Sequence, residues 1–183
     1  MNAILPTRRK ITVHEYHRMG EAGILTEDDR VELIEGDLIQ MSPIGTDHSG
    51  TVNSFTYALV MACAGKAVVS VQNPVRLDDE SEPRPDFAIL RFRPDMYRSK
   101  MPGPDDVLLL IEVADSSIKY DKSIKLPLYA RSRIVEVWII DLQRKKLDAY
   151  CGAADGSYGK PTPYKAGDHI TLALAPEISL IIP

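Results

Sequence analysis

The sequence predicts a mixed α/β (α+β) fold: one central mixed β-sheet flanked by helices, with a helix and a hairpin at the N-terminal end. Three observations predict it. Residues 107 to 113, VLLLIEV, are apolar on both faces, which suits a strand covered on both sides of a sheet. Residues 107 to 141 read strand, helix, strand, a βαβ crossover that sets two strands parallel with right-handed connectivity. Around this unit runs a series of shorter strand patterns separated by turn residues, which makes the sheet mixed. The 183 residues suffice for one domain with a real core and are short for two, so 1–183 is read as a single domain.

Along the chain, ITVHEYHRMGEAG reads as a short helix. Thr12 stands at the cap, Glu15 stands three residues on in the capping-box position, and Gly20 or Gly23 ends it. RVELIEGDLIQMSP alternates around EG, a hairpin with Gly36 in the turn. In TDHSGTVNSFTYALVMACAGK the apolar residues Val52, Phe55, Leu59, Val60 and Cys63 fall at helical spacing, with Thr46 or Asp47 as the start. AVVSVQ is a strand, NPVRL is read as another, and the acidic turn DDESEPR follows. PDFAILR is a strand opened by proline, and FRPDMYRSKMPGPDD is a polar loop. SSIKYDKSIKLPLYARS is a helix with Ile118, Ile124, Leu128 and Tyr129 inward, kinked or shortened by Pro127. IVEVWIIDL and KKLDAYCG are paired strands, and the tail DHITLALAPEISLIIP holds two short strand-like pieces.

Hydrophobic residues make up 44% and charged residues 26% of the chain, ordinary for a globular protein. The net charge of −4 does not mark a nucleic-acid binder by bulk charge. An anionic substrate must be held by a local patch or a metal ion. Two cysteines, Cys63 and Cys151, lack CxxC spacing, which argues against a zinc cluster or a disulfide framework and suits a cytoplasmic protein. No stretch reads as a membrane span or an apolar leader, and no small-molecule cofactor motif is present.

The chemistry is carried by acids on strands. Glu112 lies between Ile111 and Val113, and a carboxylate in such a run needs a partner, since removing it from water costs several kcal/mol. Asp86 opens the FAIL strand. If the two strands are neighbours, the carboxylates converge, and paired carboxylates attract a hard divalent cation, magnesium above all, with manganese as a substitute. The following helix brings Lys119, Lys122 and Lys125; a lysine beside a metal-bound water can orient it or offset charge on a phosphate. Asp, Glu and Lys around magnesium suit hydrolysis of a phosphodiester.

In order, VELIEGDLIQMSP, DH, RPDFAIL, LLLIEVADSS, YDKSIKLPLY and VWIID resemble the pattern of the Uma family of restriction endonucleases, compact bacterial members of the PD-(D/E)XK nuclease superfamily. The resemblance covers roughly residues 10 to 150. It implies a restriction-endonuclease-like core and magnesium-dependent cleavage of a nucleic-acid backbone, and the leading expectation is an endonuclease acting on DNA. Asp86 matches the metal-binding aspartate, Glu112 the second acidic ligand and Glu32 an outer or third one. The superfamily places its lysine two residues after the second acid, where this chain has Ala114. The family pattern moves it to the helix, onto Asp121, Lys125 and Tyr129, which selects Lys125 over Lys122. His48 matches a histidine that contacts a phosphate or a water. Enzymes of this shape often pair, so a homodimer is expected.

Each residue also has a plainer reading. Glu112 can be a strand-end acid paired with an arginine, Asp86 a turn acid, Lys125 a solvated helix residue, Glu32 a cross-hairpin partner and His48 a first-turn residue. The rival function is a nuclease-like module that binds nucleic acid or a protein without cutting; a third is a metal phosphodiesterase acting on RNA. The acidic runs EDD and DDESE are expected to face away from DNA.

Overall fold

A computed structural model describes residues 8–183. Helix α1 (Val13–Glu21) starts where the sequence places it: the Thr12 side chain accepts from the Glu15 amide and the Glu15 carboxylate accepts from the Thr12 amide. Strands β1 (Val31–Ile34) and β2 (Asp37–Gln40) form the hairpin. Its turn residues Glu35 and Gly36 have φ of 50° and 79°, the backbone of a tight hairpin turn with both central residues left-handed. A Cβ at Gly36 would lie 2.5 Å from the Lys10 Cβ. Gly36→Ala therefore meets both a strained φ and a clash, and is expected to lower unfolding free energy by about 2 kcal/mol in a urea titration.

Helix α2 (Thr46–Cys63) buries Val52, Phe55, Leu59 and Cys63, while Val60, placed inward by the spacing, is 49% exposed. Six strands follow in one sheet: β3 (Ala67–Val71), β4 (Phe87–Arg91), β5 (Val107–Ala114), β6 (Glu136–Asp141), β7 (Lys146–Cys151) and β8 (Thr162–Tyr164), in that spatial order. Only β5 and β6 pair in parallel, so the sheet is mixed as expected. A separate antiparallel pair, β9 (His169–Leu172) and β10 (Ala175–Ile181), accounts for the two strand-like pieces of the tail.

Side-chain alternation divides the core. Phe87, Ile89, Leu109, Ile111, Val113, Trp138 and Ile140 face α2 and the β9–β10 pair. Ala88, Leu90, Leu110, Ala114, Val137 and Ile139 face the other way, against Ile34, Leu128 and Tyr129. Both faces of β5 are covered, which is why the strand is apolar throughout. Glu112 shares the parity of Leu110 and Ala114, so it points to the hairpin side.

Two further expectations are corrected. NPVRL is not a strand: Val75 N–H donates to Pro83 O and Leu77 N–H to Ser81 O, but Pro83 has no N–H to return, and no ladder forms. Strand β8 lies in a stretch that carries no strand pattern; its Pro163 is tolerated because β8 is an edge strand. Ile124 is 38% exposed rather than inward. The helix of residues 118–131 is composite: α3 (Ile118–Tyr120), a π-helical turn over Asp121–Lys125, and α4 (Leu126–Arg131). Pro127 does not break it. A proline ring meets the carbonyl four residues back in a regular helix, and the turn just before Pro127 is the widened one. That extra width shifts residue 124 off the 3.6-residue period. Among the described residues no helix is long and apolar enough to cross a membrane, and both cysteines are free, Cys63 buried and Cys151 exposed.

Candidate active site

All five residues singled out in the sequence, Glu32, His48, Asp86, Glu112 and Lys125, line one cavity of about 330 Å³ at the carboxyl end of β5. Each is delivered by a different element. The β1–β2 hairpin brings Glu32, held where the Arg84 amide donates to its Oε2 at 3.1 Å. The first turn of α2 brings His48. Asp86 is the residue before β4, Glu112 is in β5, and the π-helical turn brings Asp121 and Lys125.

The two acids foreseen as metal ligands are tied by one backbone contact. β4 and β5 pair as far as Phe87 and Ile111. Beyond that point the Val113 N–H donates to the Asp86 side chain, Oδ2, at 2.8 Å. Asp86 therefore sits on the amide next to Glu112. His48 Nε2 lies 3.2 Å from Asp86 Oδ1 and 3.3 Å from Oδ2, and Gln72 Nε2 donates to Oδ1 at 3.1 Å. Burial alone would raise the Asp86 pKa; His48, the Val113 amide and Gln72 outweigh it and hold the carboxyl below its ordinary value. His48 is raised in turn, chiefly by its bond to Asp86.

Lys125 is enclosed, its side chain 5% exposed, with Nζ 3.0 Å from Glu32 Oε2 and 3.3 Å from Glu112 Oε1. The Tyr129 hydroxyl donates to the same Glu112 oxygen at 2.5 Å. Burial opposes the ammonium charge, but Glu112, Glu32 and Asp121 overcome it, so Lys125 remains a cation. Glu112 is pushed up to about 8 by burial; Lys125 offsets this only in part, and Asp121, Asp86 and Glu32 add to it. The plainer readings of Glu112 as an arginine's partner and of Lys125 as a solvated residue do not hold. Lys122, the runner-up, is engaged elsewhere, donating to Asp148 at 2.8 Å.

The buried acids Glu32, Asp86, Glu112 and Asp121 thus share one ammonium and one imidazole, and the site carries excess negative charge. The donor set is all carboxylate, the hard oxygen that magnesium takes. Among the described residues no three His, Cys, Asp or Glu side chains already stand at the spacing that holds an ion. Magnesium needs only one or two carboxylates, the rest of its sphere being water and substrate phosphate, and Glu112 Oε2 has no hydrogen-bond partner among the described residues. Two further buried polar atoms are left without partners, His48 Nδ1 and the Tyr120 hydroxyl, and both residues line this cavity. An unpartnered buried polar atom is costly, and its usual explanation is a water, an ion or a ligand.

Sequence reasoning gave no role to Gln72, Tyr120, Arg30 or Arg84. None carries a local signal, because their relevance lies in the cavity they share. Asp121 and Tyr129 were visible only as letters of the family pattern. Of the acidic run EDD, expected to face away from DNA, Asp28 and Asp29 line a depression that shares Arg30, Gln40, Met41, Ser42 and Pro43 with the cavity.

A mixed sheet whose central strands bring two acids to one cavity, with a lysine from the crossover helix beside one of them, is a restriction-endonuclease-like architecture. The comparisons agree. Residues 13–182 match the family described as "Uma2: Putative restriction endonuclease", and the chain belongs to that family. In fold it is similar to the crystal structure of "a putative nuclease belonging to DUF820" from Anabaena variabilis ATCC 29413, with a TM-score of 0.70 and 15% identity over 94% of this chain and 95% of that one. A search of curated proteins found no match.

Proposed function

We propose that the chain is a metal-dependent endonuclease that hydrolyses phosphodiester bonds of DNA. The observation that carries this reading is the Val113 amide holding Asp86 beside Glu112 at the floor of an open, electronegative cavity. Asp86 and Glu112 would hold a magnesium ion, which supplies Lewis-acid activation of a water and neutralises charge on the phosphate. Lys125 fixes the orientation of Glu112 and keeps a positive charge beside it. Glu32 anchors Lys125 from the opposite side, an outer role. His48, oriented through Nε2 by Asp86, lines the cavity and has an unpartnered Nδ1, which can hold a water or a phosphate oxygen.

A specific observation favours a second reading, a nuclease-like module that binds without cutting: Asp86 is already satisfied by three donors, so a cation has to displace His48 or Gln72. One experiment separates the two. Supercoiled plasmid is incubated with the protein in magnesium or manganese, and manganese binding is followed by calorimetry. Nicking that requires the metal and stops on adding EDTA is the expected result. Plasmid left intact, with no heat of manganese binding, excludes the nuclease and leaves the binding module. Preferential cutting of an RNA substrate in the same buffer would replace DNA as the substrate.

A further inference from the structure

The site has to meet a polyanion, yet its lysine is used up by carboxylates. Among the residues lining the cavity, the remaining permanent cations are Arg30 and Arg84. Among the described residues neither guanidinium has a hydrogen-bond or ion-pair partner, whereas eleven other lysines and arginines are paired with acids. Their placement is not casual. Arg84 immediately precedes the Pro85–Asp86 pair, and its amide is fixed on Glu32. Arg30 immediately precedes β1, which carries Glu32, and has φ of 47°, a left-handed conformation uncommon for a residue of its size. Both are partly buried.

They also stand at different margins of the cavity. Arg30 is shared with the depression lined by Asp28, Asp29 and residues 40–43. Arg84 is shared with the larger cavity beside α1, lined by Tyr16, His17 and Glu82. Acids border both margins, so each arginine is a local positive point in an otherwise negative surface. A guanidinium is the group best matched to a phosphate, through two parallel N–H donors.

We infer that Arg30 and Arg84 grip the DNA backbone on two sides of the reacting phosphate, each taking one phosphate group and so aligning the strand over Asp86 and Glu112. The inference rests on reading this site as that of a nuclease. It assigns the arginines to positioning and binding, not to the chemical step. Because the rest of the margin is acidic, few phosphates are neutralised, and each arginine accounts for a readable part of the salt dependence.

The test uses Arg30→Ala, Arg84→Ala and the two lysine replacements in the full chain. Binding of a short fluorescein-labelled DNA duplex is measured by anisotropy in calcium chloride, across a range of potassium chloride. Nicking rates are measured in magnesium. Each alanine variant is expected to raise Kd about five- to tenfold and to reduce the slope of log Kd against log salt by about one. KM should rise with Kd while kcat stays within about threefold. The lysine variants should restore the slope and only part of the affinity, since lysine offers a point charge without the fork. Circular dichroism melts should match the parent, because neither side chain holds another element. A parent that binds DNA while the alanine variants keep its Kd and slope overturns the inference alone, as does a fall in kcat at unchanged Kd. A parent that neither binds nor nicks overturns the nuclease reading and this inference with it.

Discussion

Asp86→Asn and Glu112→Gln are each expected to reduce plasmid nicking by at least about a thousandfold, some 4 kcal/mol of transition-state stabilisation at 1.4 kcal/mol per factor of ten. Both replacements keep size and a hydrogen-bond acceptor: the Val113 amide can still donate to an asparagine oxygen, and Tyr129 to a glutamine oxygen. What they remove is charge, and with it the attraction for a divalent cation. Manganese binding by calorimetry should vanish with activity, while the folded state persists. Nicking within about tenfold of the parent in either variant, at equal protein purity, would mean that these acids do not hold the metal or that a contaminant does the cutting.

Lys125→Met is expected to strike stability as well as activity. Lys125 is the one ammonium enclosed between Glu32 and Glu112, and removing it leaves two carboxylates facing each other out of water. Breaking a buried pair by deleting one partner costs about 3–5 kcal/mol. In a chain of this length that corresponds to a fall of roughly 10 °C in Tm. The triple variant Glu32→Gln, Lys125→Met, Glu112→Gln removes both carboxylates that contact the ammonium along with it, and should recover most of the lost stability while remaining inactive. Denaturant titrations of the single and triple variants decide it. A methionine variant as stable as the parent, or a triple variant less stable than the single one, would show that the cation does not neutralise these acids.

Much of the architecture was legible in the residues. The capping box at Thr12 and Glu15, the EG turn at 35–36 and the uninterrupted apolar run of β5 each impose one local outcome, and each is realised. Where a second constraint acts from outside the segment, the pattern misleads. NPVRL has strand composition, but the partner it meets is Pro83, six residues past the segment, which lacks the donor a ladder needs. Ile124 obeys a helical period that the π-helical turn then shifts. The site was legible in a different way. Nothing in the spacing of 32, 48, 86, 112 and 125 says that these residues meet; the family likeness placed them together, and the geometry brings all five to one cavity. What no pattern carried was the pairing of charges. Whether Lys125 is enclosed, Lys122 engaged by Asp148, and Arg30 and Arg84 without partners among the described residues depends on which acids the fold places within reach, and that is a property of the assembled molecule.

The π-helical turn at 121–125 has one consequence of its own. Here the Leu126 N–H bonds to the carbonyl five residues back, at Asp121, so this segment holds one residue more than an ordinary turn of helix. Lys125 ends that segment and its register depends on the surplus: with one residue fewer, the same side chains would be presented about 100° further around the axis, aimed away from Glu112. Relatives of this chain could therefore lose or regain the lysine's contact through a single-residue insertion or deletion that leaves every acid and base in place.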